Sequence, residues 1–136
     1  MDQTKDLNYL LQHISPRRNP GKYVFISLPS LKDIPENEII ALIREREGLT
    51  LVLNKVDADR DGYTYEAVMV WISLDVTSSL EAVGLTAAFS AALAQAGISC
   101  NVIAGYYHDH IFVPDAQADQ AMEVLLELKT PNNPAK

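Results

Sequence analysis

Between Leu85 and Tyr106 the hydrophobic pattern changes its period at a single glycine. Leu85, Phe89, Ala92, Leu93 and Ala96 trace one face of a helix. Beyond Gly97, Ile98, Cys100, Val102 and Ala104 alternate as a strand does. This switch excludes a membrane span, which the uncharged run between Glu81 and Asp109 would otherwise invite. A span needs about 20 mainly apolar residues in one helix, and this run holds Gly84, Gln95, Gly97, Asn101 and Gly105. The segment must pack a helix against strands. With 136 residues, 48% of them hydrophobic, the chain is long enough to bury a core of that kind.

The same reading extends in both directions. Residues 4–13 form a short amphipathic helix with Leu7, Leu10, Leu11 and Ile14 at helical spacing. Two prolines and a glycine make Ser15 to Gly21 a loop, and Tyr23 to Leu28 reads as a strand ended by Pro29. Pro35, with Glu36 and Glu38 at its positive end, predicts a helix to about Glu47 that buries Ile39, Ile40 and Ile43. Leu49 to Val56 alternates as a second strand, and Asp57 to Gly62 reads as a solvated hairpin loop. Glu66 to Val76 is the strongest strand: Val70, Ile72, Leu74 and Val76 on one face, Met69, Trp71, Ser73 and Asp75 on the other. After the helix and strand described above, a turn at Tyr107-His108 leads to a strand over Asp109 to Val113. Pro114-Asp115 opens a last helix, whose stripe is Ala118, Ala121, Met122, Leu125 and Leu128.

The order is thus α-β-α-β, then β-α-β-β-α. Residues 66–128 supply all but the last strand of a βαββαβ unit, and residues 22–56 a β-α-β fragment of a similar one. Neither half closes its sheet alone, so the halves are expected to share strands or to pack side by side. The expected divisions are 1–62, 63–130 and a frayed tail over 131–136.

Eleven basic against eighteen acidic residues give a net charge of −7, and Arg17-Arg18 is the only adjacent basic pair. Nucleic acid and anionic membranes are excluded as main partners, because both demand clustered cations. One cysteine permits no internal disulfide, and the acidic start lacks the basic and apolar blocks of a signal peptide. A cytoplasmic location is expected.

Several stretches carry a family resemblance. Tyr23-Val24-Phe25, Arg46 to Leu53, Ser78 to Ala88 and Asn101 to Pro114 resemble the small bacterial tandem ACT-domain proteins, a family of formerly unknown function. These are similar to the ACT domains of aspartate kinase and of the cytosolic arginine sensors. The resemblance covers about Leu7 to Leu128. It implies an α+β, ferredoxin-like ACT fold with two tandem βαββαβ-type units, the first incomplete, their antiparallel sheets covered by helices. It also implies a regulatory homodimer that binds an amino acid or related small metabolite between ACT units.

A carboxylate suits the free amides and positive dipole end of the helix that follows the loop from Thr77 to Thr86. Gly84 admits close approach, Ser78, Ser79 and Thr86 add hydroxyls, and Glu81 and Asp109 are acceptors for an ammonium group. The resemblance points to Ser79, Glu81, Val83, Gly84, Leu85 and Asn101. Local roles compete. Ser78-Ser79-Leu80-Glu81 fits a capping box, and Asp109 suits a turn cap.

Three patterns suggest other chemistry and fall short. Asp57-Ala58-Asp59-Arg60-Asp61-Gly62 opens like a calcium loop, but its twelfth position is Val68 where a bidentate Glu belongs. His108 and His110 share a strand face, but no further ligands gather by spacing, so they read as surface or interface histidines. Cys100 lies on the apolar face with Ile98 and Val102. No catalytic motif, metal set or cofactor loop emerges. The alternative to a metabolite sensor is a protein-protein interaction module with no small-molecule ligand; an enzyme would need the histidine pair to recruit a metal.

Overall fold

In the computed structural model the described residues are 6–31, 33–75 and 83–129. Their elements run α1 (Leu7–His13), β1 (Pro16–Arg18), β2 (Tyr23–Leu28), a 3₁₀ turn (Glu36–Glu38), β3 (Ile39–Glu45), β4 (Gly48–Asn54) and α2 (Lys55–Arg60). Then follow β5 (Met69–Leu74), α3 (Leu85–Gln95), β6 (Asn101–Ala104), β7 (Asp109–Pro114), a second 3₁₀ turn (Asp115–Gln117) and α4 (Ala118–Glu127). The chain divides into two compact units. An outer unit combines Met1–Asn19 with Trp71–Lys136, and Pro20–Val70 is inserted between those segments.

In the inserted unit the strand order is β3-β4-β2, and Met69 of β5 pairs with Tyr23 on the far side of β2. This is the second-third-first-fourth order of a βαββαβ unit, with residues 29–38 in place of its first helix. Antiparallel pairing sets Val24 opposite Leu53 and Ile26 opposite Leu51. One face therefore collects Val24, Ile26, Leu51 and Leu53, which are closed over by Ile34 and Ala58. The expected helix over 35–47 is corrected here: Pro35 opens only a 3₁₀ turn, and Ile39–Glu45 is a strand. Ile39, Ile40 and Ile43 fit either period, and β-branched side chains next to a partner strand settle on the extended form. Ile43 ends up 45% exposed rather than buried.

The loop expected over Asp57 to Gly62 is also corrected. It is helix α2, started by Asn54, whose side chain accepts from the Val56 amide, and anchored by buried Ala58. Its acids are engaged by cations: Asp57 and Asp61 by Arg60, and Asp59 by Lys55. Arg60 also reaches Glu38 at 2.8 Å, tying the helix to the 3₁₀ turn.

The outer unit has the order β1-β5-β7-β6. Here too one expectation fails: Pro16–Arg18 is a strand, not loop, pairing antiparallel with β5 from Pro16↔Leu74 to Arg18↔Ile72. The prolines did not forbid it, because a three-residue strand at a sheet edge can spare one donor. The ladder is prolonged at both ends, by the Asp75 amide to the Ser15 carbonyl and the Asn19 amide to the Trp71 carbonyl. The fourth-strand position of the βαββαβ pattern is thus filled from the N-terminal side of the chain.

Arg18, opposite Ile72, reaches Asp119 of α4 at 2.9 Å, so α4 covers the Ile72 face. Leu10, Ile14, Ile72, Leu74, Phe89, Leu93, Ile111, Val113, Ala121 and Leu125 are buried without remainder in this unit. Gly97 ends the α3 region with φ +78°, as its place in the sequence predicts. The strand expected from Ile98 shrinks to Asn101–Ala104, leaving Ile98 buried and Cys100 half-buried. Burial pushes the Cys100 thiol up to about 11, the behaviour of an inert side chain.

Two glycines should separate strain from crowding. Gly48, at φ +154°, starts β4 with the Leu28 carbonyl oxygen 2.7 Å from where a Cβ would sit; Gly62, at φ +75°, faces open space. In urea denaturation Gly48→Ala should cost clearly more than Gly62→Ala, for which only the backbone penalty of about 1–2 kcal/mol applies. Phe89→Ala should cost about 3–5 kcal/mol in the same assay, as a large ring leaves a cavity.

Candidate functional site

Helix α3 begins without a side-chain cap. Its N-cap is Gly84, in the left-handed region at φ +98°, where L side chains are strained. The capping box read on Ser78-Ser79-Leu80-Glu81 lies outside the described residues. Among the described residues the first-turn amides, at the positive end of the dipole, meet no side-chain acceptor. Flanking Gly84, Val83 is 82% exposed and Thr86 is exposed, whereas Leu85 is buried in the core. The missing Cβ of Gly84 is used by α1: a Leu7 methyl lies 3.1 Å from its ideal position.

The other expected site residues are dispersed. Asn101 is exposed on β6, and its side-chain amide donates to the Phe112 carbonyl at 3.3 Å. It pairs with Phe112, while Ala104 pairs with Asp109, so alternation sends Asn101 and Asp109 to opposite faces of the β6–β7 hairpin. Burial raises the Asp109 carboxyl above the usual carboxylate range, with some opposition from His110. Ser78, Ser79 and Glu81 lie outside the described residues. Val83 to Thr86 thus form one local group at a helix start, and Asn101 and Asp109 do not share a surface with each other.

A second constellation, largely missed from sequence, occupies the sheet face away from α4. Arg17 on β1 grips Asp75 at the end of β5, with Nε to Oδ2 at 2.8 Å and Nη2 to Oδ1 at 3.4 Å. Its Nη1 donates to Asn19 Oδ1 at 2.9 Å. Asn19 Nδ2 donates to Ser73 Oγ at 3.0 Å and to the Trp71 carbonyl at 3.2 Å. Ser73 Oγ and Trp71 Nε1 both lie 3.0 Å from Nδ1 of His110. Nδ1 of His108 is buried with no hydrogen-bond partner among the described residues, 3.8 Å from Asp75 Oδ1. The signal available was the alternation of Trp71, Ser73 and Asp75 on one face of β5. Arg17 and Asn19 were hidden because their segment read as loop.

The charges follow from these contacts. Hydrogen bonding and charge from Arg17 hold the Asp75 carboxyl below its ordinary range, helped by His108 and His110. Arg17 is raised in turn by Asp75. Burial lowers His110, and neighbouring His108 lowers it further. Among the described residues no cluster of three metal-ligating side chains exists.

A model of the ACT domain matches residues 4–70, and a second ACT-domain model matches residues 66–127. The chain is a tandem ACT-domain protein. It is 49% identical to a Vibrio cholerae protein of unknown function described as a possible transport protein, covering 95% of this chain and 100% of that one with a TM-score of 0.84. A protein from Agrobacterium tumefaciens shares 18% identity over 85% of this ACT protein and 89% of its own length, with a TM-score of 0.63. The ligand-free regulatory subunit of aspartate kinase from Thermus thermophilus shares the fold at 12% identity, covering 83% and 95% of the two chains with a TM-score of 0.60. No curated protein matches the sequence. The ferredoxin-like ACT assignment made from the quoted stretches therefore stands, and no helix of the described residues is long and apolar enough to cross a membrane.

The polar network yields two expected outcomes. Ser73 is fully buried, so Ser73→Ala should cost about 1–3 kcal/mol in chemical denaturation by removing the hydroxyl that joins Asn19 to His110. Because the folded Asp75 carboxyl is depressed, its contribution to stability is present above the unfolded value of about 3.9 and is lost as pH falls through the folded one. Urea midpoints measured between pH 2 and 6 should show a shallower acid decline in Asp75→Asn than in the parent chain.

Proposed function

We propose that this ACT protein is a non-catalytic regulatory sensor, a cytoplasmic homodimer that binds an amino acid or related small metabolite at an ACT-type interface. The observation that supports this reading is the start of α3 at Gly84, uncapped by any side chain among the described residues, with Val83 and Thr86 exposed beside it. First-turn amides that meet no side-chain acceptor among the described residues, at the positive end of an eleven-residue helix, suit a carboxylate. An ammonium group would find its acceptor in Glu81, four residues before Leu85 in the sequence. Asn101 and Asp109, on opposite faces of their hairpin, would serve only in so far as a second copy brings one of them to the start of α3.

A second reading rests on the hairpin tip. Tyr106 and Tyr107 are 78% and 76% exposed and pack edge to face with each other at 5.0 Å. An exposed aromatic pair at a hairpin tip suits an interaction module that docks a partner protein and needs no small molecule.

A thermal-shift screen of the common amino acids at millimolar concentration separates the two. A ligand at a hundredfold its Kd stabilises the native state by about 2.7 kcal/mol, a shift of several degrees. Thr86→Glu places a negative charge in the first turn, which favours the helix but competes with an incoming carboxylate. One amino acid should raise the melting temperature of the parent chain and fail to raise that of Thr86→Glu. If no amino acid shifts the parent, the sensor reading falls and the interaction module takes its place.

A further inference from the structure

The directions of the hydrogen bonds around His110 are dictated by chemistry, not by choice of rotamer. Arginine only donates, so the atom of Asn19 that meets Arg17 Nη1 is its oxygen, and the Asn19 amide nitrogen must face Ser73. Ser73 Oγ accepts from that nitrogen and lies 3.0 Å from His110 Nδ1, towards which its hydroxyl can donate or accept. The indole of Trp71 also only donates, and it too points at Nδ1, at 3.0 Å. The indole hydrogen fixes Nδ1 as an acceptor, and the Ser73 hydroxyl turns to become a second donor to it. That nitrogen must carry a lone pair, and the ring proton must sit on Nε2.

We propose that the Trp71–His110 hydrogen bond is a proton-operated latch between β5 and β7, closed while His110 is a neutral acceptor and released when Nδ1 is protonated. A second ring proton would confront the indole hydrogen of Trp71, which cannot turn away as the Ser73 hydroxyl can. The ring has little room to turn away: a methyl at Gly105 would come within 3.0 Å of Nε2, so that edge lies against backbone. The ionisable groups facing the ring from each neighbouring element are few. Arg17 on β1 and His108 before β7 oppose a positive charge on His110, whereas Asp75 after β5 and Asp109 on β7 favour it. Asp75 is already occupied by Arg17, and Asp109 alternates to the other face. Burial above all, with His108 and Arg17 beside it, holds His110 below its ordinary value of about 6.5. Stability supplied by the latch is therefore present above that value and lost as pH falls through the folded one. The latch does not rest on the sensor reading, since none of its atoms belongs to the proposed ligand group at α3.

Trp71 is the only tryptophan of the chain, so its emission reports the latch directly. Between pH 8 and pH 4.5 the full-length protein should show one fluorescence transition with a midpoint below 6.5. His110→Asn offers an acceptor oxygen that does not titrate, and its emission should be flat over this range. His108→Asn should keep the transition. Nitrogen-15 spectra of the imidazoles at neutral pH should place the His110 proton on Nε2, a measurement on the parent chain that holds even where the Asn variant is poorly folded. A parent chain without a transition, a transition that survives in His110→Asn, or a proton on Nδ1 at neutral pH would each overturn the latch.

Discussion

Both units of this ACT protein depend on a strand laid beside their first one. In a βαββαβ sheet the first strand lies inside the order, and its two neighbours come from later in the chain. Without the fourth strand it becomes an edge with unpaired amides and carbonyls. The inserted unit obtains that pairing at Met69 opposite Tyr23. The outer unit obtains it from Pro16–Arg18, before its own first strand in the chain. The expectation that neither half would close its sheet alone rests on this need, and β1 is the segment that meets it in the outer unit.

That same short strand explains why polar chemistry accumulates on one face. Pairing Arg17 with Ser73 sets a guanidinium over the middle of β5, where Asp75 and Asn19 take it up. Burying Ser73 and Asn19 would be costly if any donor or acceptor were left over. The chain of donors from Arg17 through Asn19 and Ser73 to His110 satisfies them in turn, and Trp71 contributes its indole hydrogen at the end. The two histidines that look alike in sequence are thereby made different. One accepts from two donors; the other turns a nitrogen towards a carboxylate.

The sequence made the second half legible because its periods are clean and its breakers fall at the ends. Gly97 stops α3, and Ala118, Ala121, Leu125 and Leu128 line the buried side of α4. The first half was harder. Ile39, Ile40 and Ile43 satisfy both a helical and an extended pattern, and only the partner strand β4 decides between them. Asp57 to Asp61 looked like loop because its charges are satisfied by Arg60 and Lys55, contacts that composition does not disclose. Pro16–Arg18 carries no strand signal of its own; its conformation is imposed by a partner far along the chain. At the candidate site, the glycine at the start of α3 was readable. The use of its bare Cα by Leu7, and the separation of Asn101 from Asp109 by alternation, required the register.

The separation of 58 residues between Arg17 and Asp75 also sets an order of events. Strands β2, β3 and β4 pair with near neighbours in the chain, whereas β1 must wait for a partner synthesised long after it. Contacts that close long loops form late, because chain entropy is lost before they return anything. On the ribosome the inserted unit is therefore positioned to fold while Pro16–Arg18 still trails unpaired, and the outer unit clasps shut last.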